Sequence, residues 1–247
     1  MSSKFKIDIN ADVGEGLNNE HLLLPYLSSC NIACGGHAGD LYTMTKVVRL
    51  AKTNNVKIGA HPSFPDKVNF GRKETKLSAE DLFSSLKQQI ENLNRVTAQE
   101  GAAMHHIKPH GALYNLAAKD ETTAMIIIDV MQSLTQKLKL YAPYQSVITN
   151  LGKLNNIEVI YEGFADRNYN YDLSLVSREN SDAIITDKKV VFNHVFKMIK
   201  AQKIDTIQGV EIPFIANTIC VHGDTINAQE ILQFLHSKLR SKNIQIQ

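Results

Sequence analysis

The sequence predicts an α/β protein, a single-domain (β/α) TIM-like barrel of about seven or eight mostly parallel strands. Three observations lead there. Strand-like and helix-like stretches alternate along the whole chain, the order that parallel strands joined by helical crossovers require. Polar, Gly-rich turns follow at least five strand candidates, at residues 12–16, 37–40, 61–65, 110–115 and 222–224. Side chains from many strands converge at the C-terminal mouth of a barrel, whereas an open doubly wound sheet concentrates its site at one switch point. Finally, no linker, low-complexity tract or charge run divides residues 1–247, so one domain is expected.

In the first strand, Phe5, Ile7, Ile9 and Ala11 alternate with Lys6, Asp8, Asn10 and Asp12. A period of two puts Asp8, Asn10 and Asp12 on one face. Such a stripe needs water, a ligand or a cation opposite it, although an open sheet with one wet face would show the same alternation. Residues 30–34 read as a second, buried strand, followed by GGHAGD and a helix in which Met44, Val47, Val48 and Ala51 share a face. Residues 56–60 form the third strand, ending in HPSF. A long helix starts at Ser78 as N-cap, with Asp81 at the reciprocal position. Its stripe is Leu82, Leu86, Ile90 and Leu93, and Gly101 closes it. Residues 103–109 are the fourth strand. Helices at 120–137, 188–202 and 227–241 then alternate with strands at 138–142, 158–162 and 218–222.

Composition removes several classes of function. At 43% hydrophobic residues the chain can bury a real core. A net charge of +2, with Lys and Arg scattered, leaves no electrostatic footprint for nucleic acid or an anionic membrane. The longest apolar run, 124–128, stops at Asp129 and is too short for a bilayer, and the N-terminus lacks the apolar core of a signal peptide. A cytoplasmic location is expected. Cys30, Cys34 and Cys220 form no CxxC pair and read as buried packing residues. No G-x-x-x-x-G-K-[ST] phosphate loop exists, since Gly152-Lys153 lacks the upstream glycine and runs into Leu154. Gly14-Glu15-Gly16 reaches Asn19 where a dinucleotide fingerprint carries its third glycine, and Asp12 and Glu15 would repel a pyrophosphate.

DINADVGEG, NIACGGHAGD, IGAHPSFPD, FGRK, HIKPHGALYN, EGFADRNY and TICVHGD, in this order from Asp8 to Asp224, resemble the LamB/YcsF family, the A subunits of prokaryotic 5-oxoprolinase. The resemblance implies an irregular (β/α) barrel of the glycoside hydrolase/deacetylase kind. It also implies a part in the ATP-dependent opening of 5-oxo-L-proline (pyroglutamate) to L-glutamate, with partner subunits B and C. ATP with Mg²⁺ is then the cofactor of the complex, its site lying on the partner subunits or reaching this chain. Ala11, Gly36 and Ser63-Phe64 stand where the family usually has Cys, an aromatic and Gly-Tyr, which bears on pocket shape. A five-membered lactam is an unreactive amide whose closure is favourable, so hydrolysis needs external free energy and an activated carbonyl. Phosphorylating the amide oxygen supplies both. The expected division of labour gives that step to the partners and ring opening to this chain.

Roles follow from residue chemistry. His106, Lys108 and His110 alternate on one face of the fourth strand, so Lys108 and His110 reach the mouth, where Lys108 is a candidate to hold an anionic oxygen or a phosphate. Asp12, Glu15 and Asp40 are candidates for the base that activates water. His37, His61, His110 and His222 are candidates for acid, base or oxyanion donor. Arg72 and Arg167 suit a substrate carboxylate, because a planar guanidinium grips both oxygens. Asp166 is expected to orient Arg167 or to join the catalytic carboxylates. Asn10, Tyr114, Asn115 and Asp224 are expected to contact substrate.

Two other readings stay open. The same Asp and His residues suit a divalent metal, with Asp12, His37 and His61 as one ligand set, in a metal-dependent amide hydrolase or deacetylase working without ATP. His106 and His110 are poor joint ligands, because four residues of ideal strand separate them by about 13 Å. In the other reading, the chain captures the lactam and contributes no catalytic group.

Overall fold

Period-two alternation decides what this barrel holds inside. The computed structural model describes residues 5–247, so the first four positions of the expected 1–247 domain lie outside the described residues. In order, the elements are β1 (Phe5–Val13), α1 (Glu20–Leu23), β2 (Ser29–Ala33), α2 (Leu41–Thr53), β3 (Lys57–His61), α3 (Ala79–Gln99), β4 (Met104–Ile107), α4 (Gly111–Ala117) and α5 (Glu121–Gln132). They continue with β5 (Lys139–Pro143), α6 (Val147–Leu154), β6 (Val159–Phe164), α7 (Lys188–Ala201), β7 (Lys203–Asp205), β8 (Glu211–Pro213), β9 (Thr218–Cys220), α8 (Ala228–Ser241) and β10 (Ile244–Ile246).

Seven parallel strands close the barrel in the order β1, β2, β3, β4, β5, β6, β9, with β9 pairing back onto β1 through Asp8–Thr218, Ile9–Ile219 and Asn10–Cys220. Where an eighth strand would stand, β6 pairs directly with β9. The chain between them makes an irregular stretch, α7 and the antiparallel hairpin β7–β8 outside the barrel. β10 adds a parallel partner at the N-terminal end of β1. No helix among the described residues is long and apolar enough to cross a membrane.

The polar face of β1 points into the barrel, not into water: Asp8, Asn10 and Asp12 are 5%, 0% and 8% exposed. Closure of the sheet therefore excludes the wet-face alternative. Ile7, Ile9, Ala11 and Val13 point outward into an apolar layer shared with the helices. That layer takes Met44, Val47, Val48 and Ala51 from α2 and Leu82, Leu86, Ile90, Leu93 and Val96 from α3. From α8 it takes Ile231, Leu232, Leu235 and Leu239. Each such Leu or Ile contributes about 1.5–3 kcal/mol by leaving water.

Local signals set the element ends. The Ser78 hydroxyl accepts from Asp81 N at 3.1 Å and donates to Asp81 Oδ2 at 2.6 Å, and Gly101 stops the chain at φ 62°. α5 ends at Gln132, five residues short of the expected 137, because the Ser133 hydroxyl turns back onto the Val130 carbonyl at 2.8 Å. β4 ends at Ile107, yet Lys108 N still donates to Ala60 O and His110 N to Pro62 O, so the expected strand continues as an extended segment. The three cysteines are free and buried.

One glycine is required by the interior packing. A Cβ on Gly59 would lie 2.2 to 2.4 Å from three atoms of the His106 ring, which is fully buried and stacked on Tyr141 at 3.8 Å between centroids. Gly59→Ala should therefore lower stability by about 1–3 kcal/mol, read as an earlier midpoint in chemical denaturation. An unchanged midpoint would mean that the ring is not held there.

Candidate active site at the barrel mouth

The interior is a stack of polar side chains bonded upward to the mouth. At the base, Ser29 Oγ donates to Asp8 Oδ1 at 2.7 Å and accepts from the Tyr141 hydroxyl at 3.2 Å. Burial pushes the Asp8 carboxyl up, against the pull of Thr218 and Ser29. Above them, Asn31 Nδ2 donates to Asn10 Oδ1 and Asn10 Nδ2 to Glu162 Oε1, at 2.8 and 3.0 Å. His106 Nε2 lies 2.7 Å from Asn31 Oδ1.

At the top, Lys108 Nζ lies 2.9 Å from Asp12 Oδ1, 2.8 Å from Glu162 Oε1 and 3.2 Å from Cys220 Sγ. Asn10 Oδ1 stands farther off at 3.5 Å, so the three ammonium protons are shared among four acceptors. Burial alone would discharge Lys108, but Asp12, Cys220 and Glu162 hold its pKa well above the usual lysine value. Asp12 is the converse: burial disfavours its charge, and His61 and Lys108 outweigh burial and hold the carboxyl well below its ordinary range.

Glu15 enters from the turn after β1, between Gly14 at φ 74° and Gly16 at φ 88°, a conformation glycine adopts without strain. Its Oε1 is 2.8 Å from His37 Nε2, 3.4 Å from His110 Nδ1 and 3.9 Å from His61 Nε2. Burial, then the neighbouring Asp12 charge, push the Glu15 carboxyl up. Burial lowers His37 and His110 to about 3, so both imidazoles stay neutral. His61 goes the other way, because the Asp12 carboxylate overcomes the cost of burial and lifts it.

A cavity of about 470 Å³ opens above this cluster, lined by Asp12, Glu15, His61, Lys108, His110 and His222 among others. His222 Nδ1 lies 2.9 Å from Asp166 Oδ1, and Asp166 Oδ2 accepts from His222 N at 3.1 Å. Burial opposes the Asp166 charge, but the His222 contacts hold its pKa below the ordinary value. The cavity lining also includes Arg72 and Arg178, 2.8 and 3.3 Å from Asp224 Oδ2. Tyr114 and Asn115 also line the cavity. The Tyr114 pKa is pushed well up, first by burial and then by the Glu162 carboxylate.

Several expected residues stand elsewhere. Asp40 is exposed and caps α2, accepting from Thr43 N at 2.7 Å, so it is not among the cavity residues. Asn10 is fully buried below Lys108 and does not line the cavity. Asp166 orients His222 instead of Arg167. Arg167 touches the cavity, but its Nε donates to Ala183 O at 3.2 Å and its NH2 to Val176 O, which ties the irregular stretch to the barrel. Lys108 lines the cavity, with its ammonium already engaged by Asp12, Glu162 and Cys220. His37 sits behind His110, stacked on it at 3.6 Å.

Glu162 and Arg178 escaped the sequence reading. Glu162 interrupts an apolar strand as Asp8 and Asn10 do, which was its available signal. Arg178 lies in a stretch with no periodicity at all.

The model of the LamB/YcsF family matches residues 7–247. This chain belongs to the LamB/YcsF family. It is 40% identical over 241 residues to the A subunit of 5-oxoprolinase from Haemophilus influenzae (strain PittEE), covering 98% of each chain. Among solved structures, the lactam utilization protein of Thermus thermophilus superposes with a TM-score of 0.92 at 33% identity, over 98% of this chain and 99% of that one. A GH113 β-1,4-mannanase superposes with a TM-score of 0.52 at 8% identity over 96% of this chain and 99% of its own, a likeness of fold alone.

The buried ion pair gives a test in this LamB/YcsF chain. Lys108→Met leaves Asp12 and Glu162 facing each other without a cation, which should cost about 3–5 kcal/mol at neutral pH. The freed carboxyls then bind protons more tightly folded than unfolded. Their penalty should grow as pH rises through the ordinary carboxylate range and shrink near pH 4. Denaturation midpoints against pH, with Lys108→Met/Glu162→Gln as a partial rescue, check both signs.

Proposed function

We propose that this chain is the A subunit of an ATP-dependent 5-oxoprolinase, opening 5-oxo-L-proline to L-glutamate together with B and C subunits. The observation that carries the reading is the 40% identity, end to end, with a protein named as that subunit. The site is compatible with it. A cavity of about 470 Å³ suits a five-membered lactam, and Arg72 and Arg178 at the rim suit its carboxylate, which would displace Asp224 from the two guanidiniums. The cavity suits a nucleotide poorly, because Asp12, Glu15 and Asp224 would all face its phosphates. Phosphorylation of the lactam oxygen by ATP with Mg²⁺ is accordingly given to the partner subunits, and the supply of ATP suits a cytoplasmic complex.

In ring opening, the oxygen of water bonds to the phosphorylated carbonyl carbon, the carbon–nitrogen bond breaks, and the nitrogen takes up the two protons of that water; the acyl phosphate left behind is cleaved by a second water to glutamate and inorganic phosphate. His222 is the group best placed to carry a proton from water to the nitrogen. Its Nδ1–H donates to Asp166, which leaves the Nε2 lone pair for the cavity.

Glutamate formation from 5-oxoproline and ATP should appear when this chain is mixed with its partner subunits and vanish when any component is omitted. Full activity without this chain would sink the proposal. In the complete complex, His222→Asn and Asp166→Asn should lower kcat about 10²- to 10⁴-fold with assembly intact. Retained turnover in both would favour a subunit that only captures the lactam. Arg178→Ala should raise KM for 5-oxoproline more than it lowers kcat, because the carboxylate grip acts on ground and transition states alike.

A further inference from the structure

Three donor atoms meet beside the cavity at or just past the ends of β1, β3 and β4, Glu15 Oε, His61 Nε2 and His110 Nδ1, with His37 Nε2 next to them, all within 4.8 Å of one another. Two of the imidazoles are oriented by backbone carbonyls. His61 Nδ1 lies 2.7 Å from Lys108 O, and His110 Nε2 lies 2.9 Å from Phe70 O. A carbonyl only accepts, so both of those nitrogens carry the proton. In the neutral rings His61 Nε2 and His110 Nδ1 then present lone pairs to each other across 3.0 Å. Such an arrangement calls for a positive centre between them, a shared proton or a metal ion, and the Glu15 carboxylate 3.4 and 3.9 Å from the same two nitrogens supplies a third donor to an ion.

We propose that Glu15, His61 and His110 bind one divalent transition-metal ion of the Zn²⁺ type, with a coordination position left toward the cavity. Their donor separations, 3.0, 3.4 and 3.9 Å, bracket the roughly 3.3 Å edge of a tetrahedron with bonds near 2.0–2.1 Å. Two imidazoles and one carboxylate are a donor set that Zn²⁺ accepts in an open site. The backbone carbonyls behind His61 and His110 supply the outer partners that metal-bound histidines usually have. His37, whose ring lies parallel to that of His110 at 3.6 Å, cannot aim its lone pair at the same ion and instead contacts Glu15 Oε1 at 2.8 Å.

The set differs from the Asp12, His37 and His61 trio expected from the sequence: Asp12 Oδ1 is taken by Lys108 and Asn31, and its Oδ2 lies 3.4 Å from His61 Nε2. A second grouping of Asp12, Cys220 and His222 already holds a cation, with the Lys108 ammonium 2.9 and 3.2 Å from two of its members. Glu15, His61 and His110 line the cavity, so an ion held there would face whatever occupies it.

The test uses the isolated full chain, stripped with chelator and titrated with Zn²⁺ and with Co²⁺. One equivalent of Zn²⁺ should bind, and Co²⁺ should give the intense visible bands of a four-coordinate nitrogen and oxygen site. His61→Ala/His110→Ala should weaken binding by more than about 100-fold, while His21→Ala, at an exposed histidine, should bind as the wild type does. X-ray absorption at the zinc edge of the loaded wild type needs no variant and should report imidazole neighbours. No uptake at tenfold excess, equal uptake by the double variant, or an all-oxygen shell would each overturn the site, leaving a proton between the rings. None of these readouts depends on ring opening, so their failure leaves the 5-oxoprolinase reading standing.

Discussion

The ammonium of Lys108, sealed between Asp12 and Glu162, is the contact on which the rest of the interior depends. It joins the first strand, the end of the fourth and the sixth at one point, and reaches Cys220 on the ninth. Two carboxylates and one cation in a dry barrel are tolerable only if the remaining polar atoms also find partners. Asn10, Asn31 and His106 beneath them provide those partners. The apolar layer that would fill a usual barrel core lies outside this one, between strands and helices. The helices hold the wall together, and the polar stack holds the mouth in shape.

Charge is arranged around that pair in two separate groups. In one, Glu15 and three imidazoles crowd together with little solvent. In the other, Arg72 and Arg178 share the half-exposed Asp224. His222, braced by Asp166, lines the same cavity. Cationic and basic groups around one cavity can hold a small anion by one end and do chemistry at the other.

Much of the fold was legible because its signals are local. The Ser78 cap, the Gly101 stop, the α3 stripe and the alternation of β1 depend on neighbours within a few positions, and all appear as read. β7, β8 and β10, three residues each, carry too little pattern to be seen. For the site, turn chemistry pointed to Asp12, Glu15, His61, His110 and His222, which the fold does gather. Asp40 was misread because an aspartate just before a helix is a cap first, whatever histidine precedes it. Asp166 and Arg167 were paired as neighbours, but the Asp166 carboxylate is taken by His222 and Thr225 and the Arg167 guanidinium by the Ala183 and Val176 carbonyls. Glu162 and Arg178 required the closed topology, since their partners lie 54 and 46 positions away.

The two groups also differ in where they come from along the chain. Glu15, His37 and His110 follow the first, second and fourth strands and His61 ends the third, all anchored by the barrel. Arg178 hangs from the long irregular connection between β6 and α7, tied down chiefly through Arg167 and the Ala183 and Val176 carbonyls. Insertions or exchanges in that connection would reshape what the cavity admits without moving a single imidazole. Selectivity and reactivity in this barrel can therefore evolve at different rates, one on a pliable strap and the other on a rigid ring.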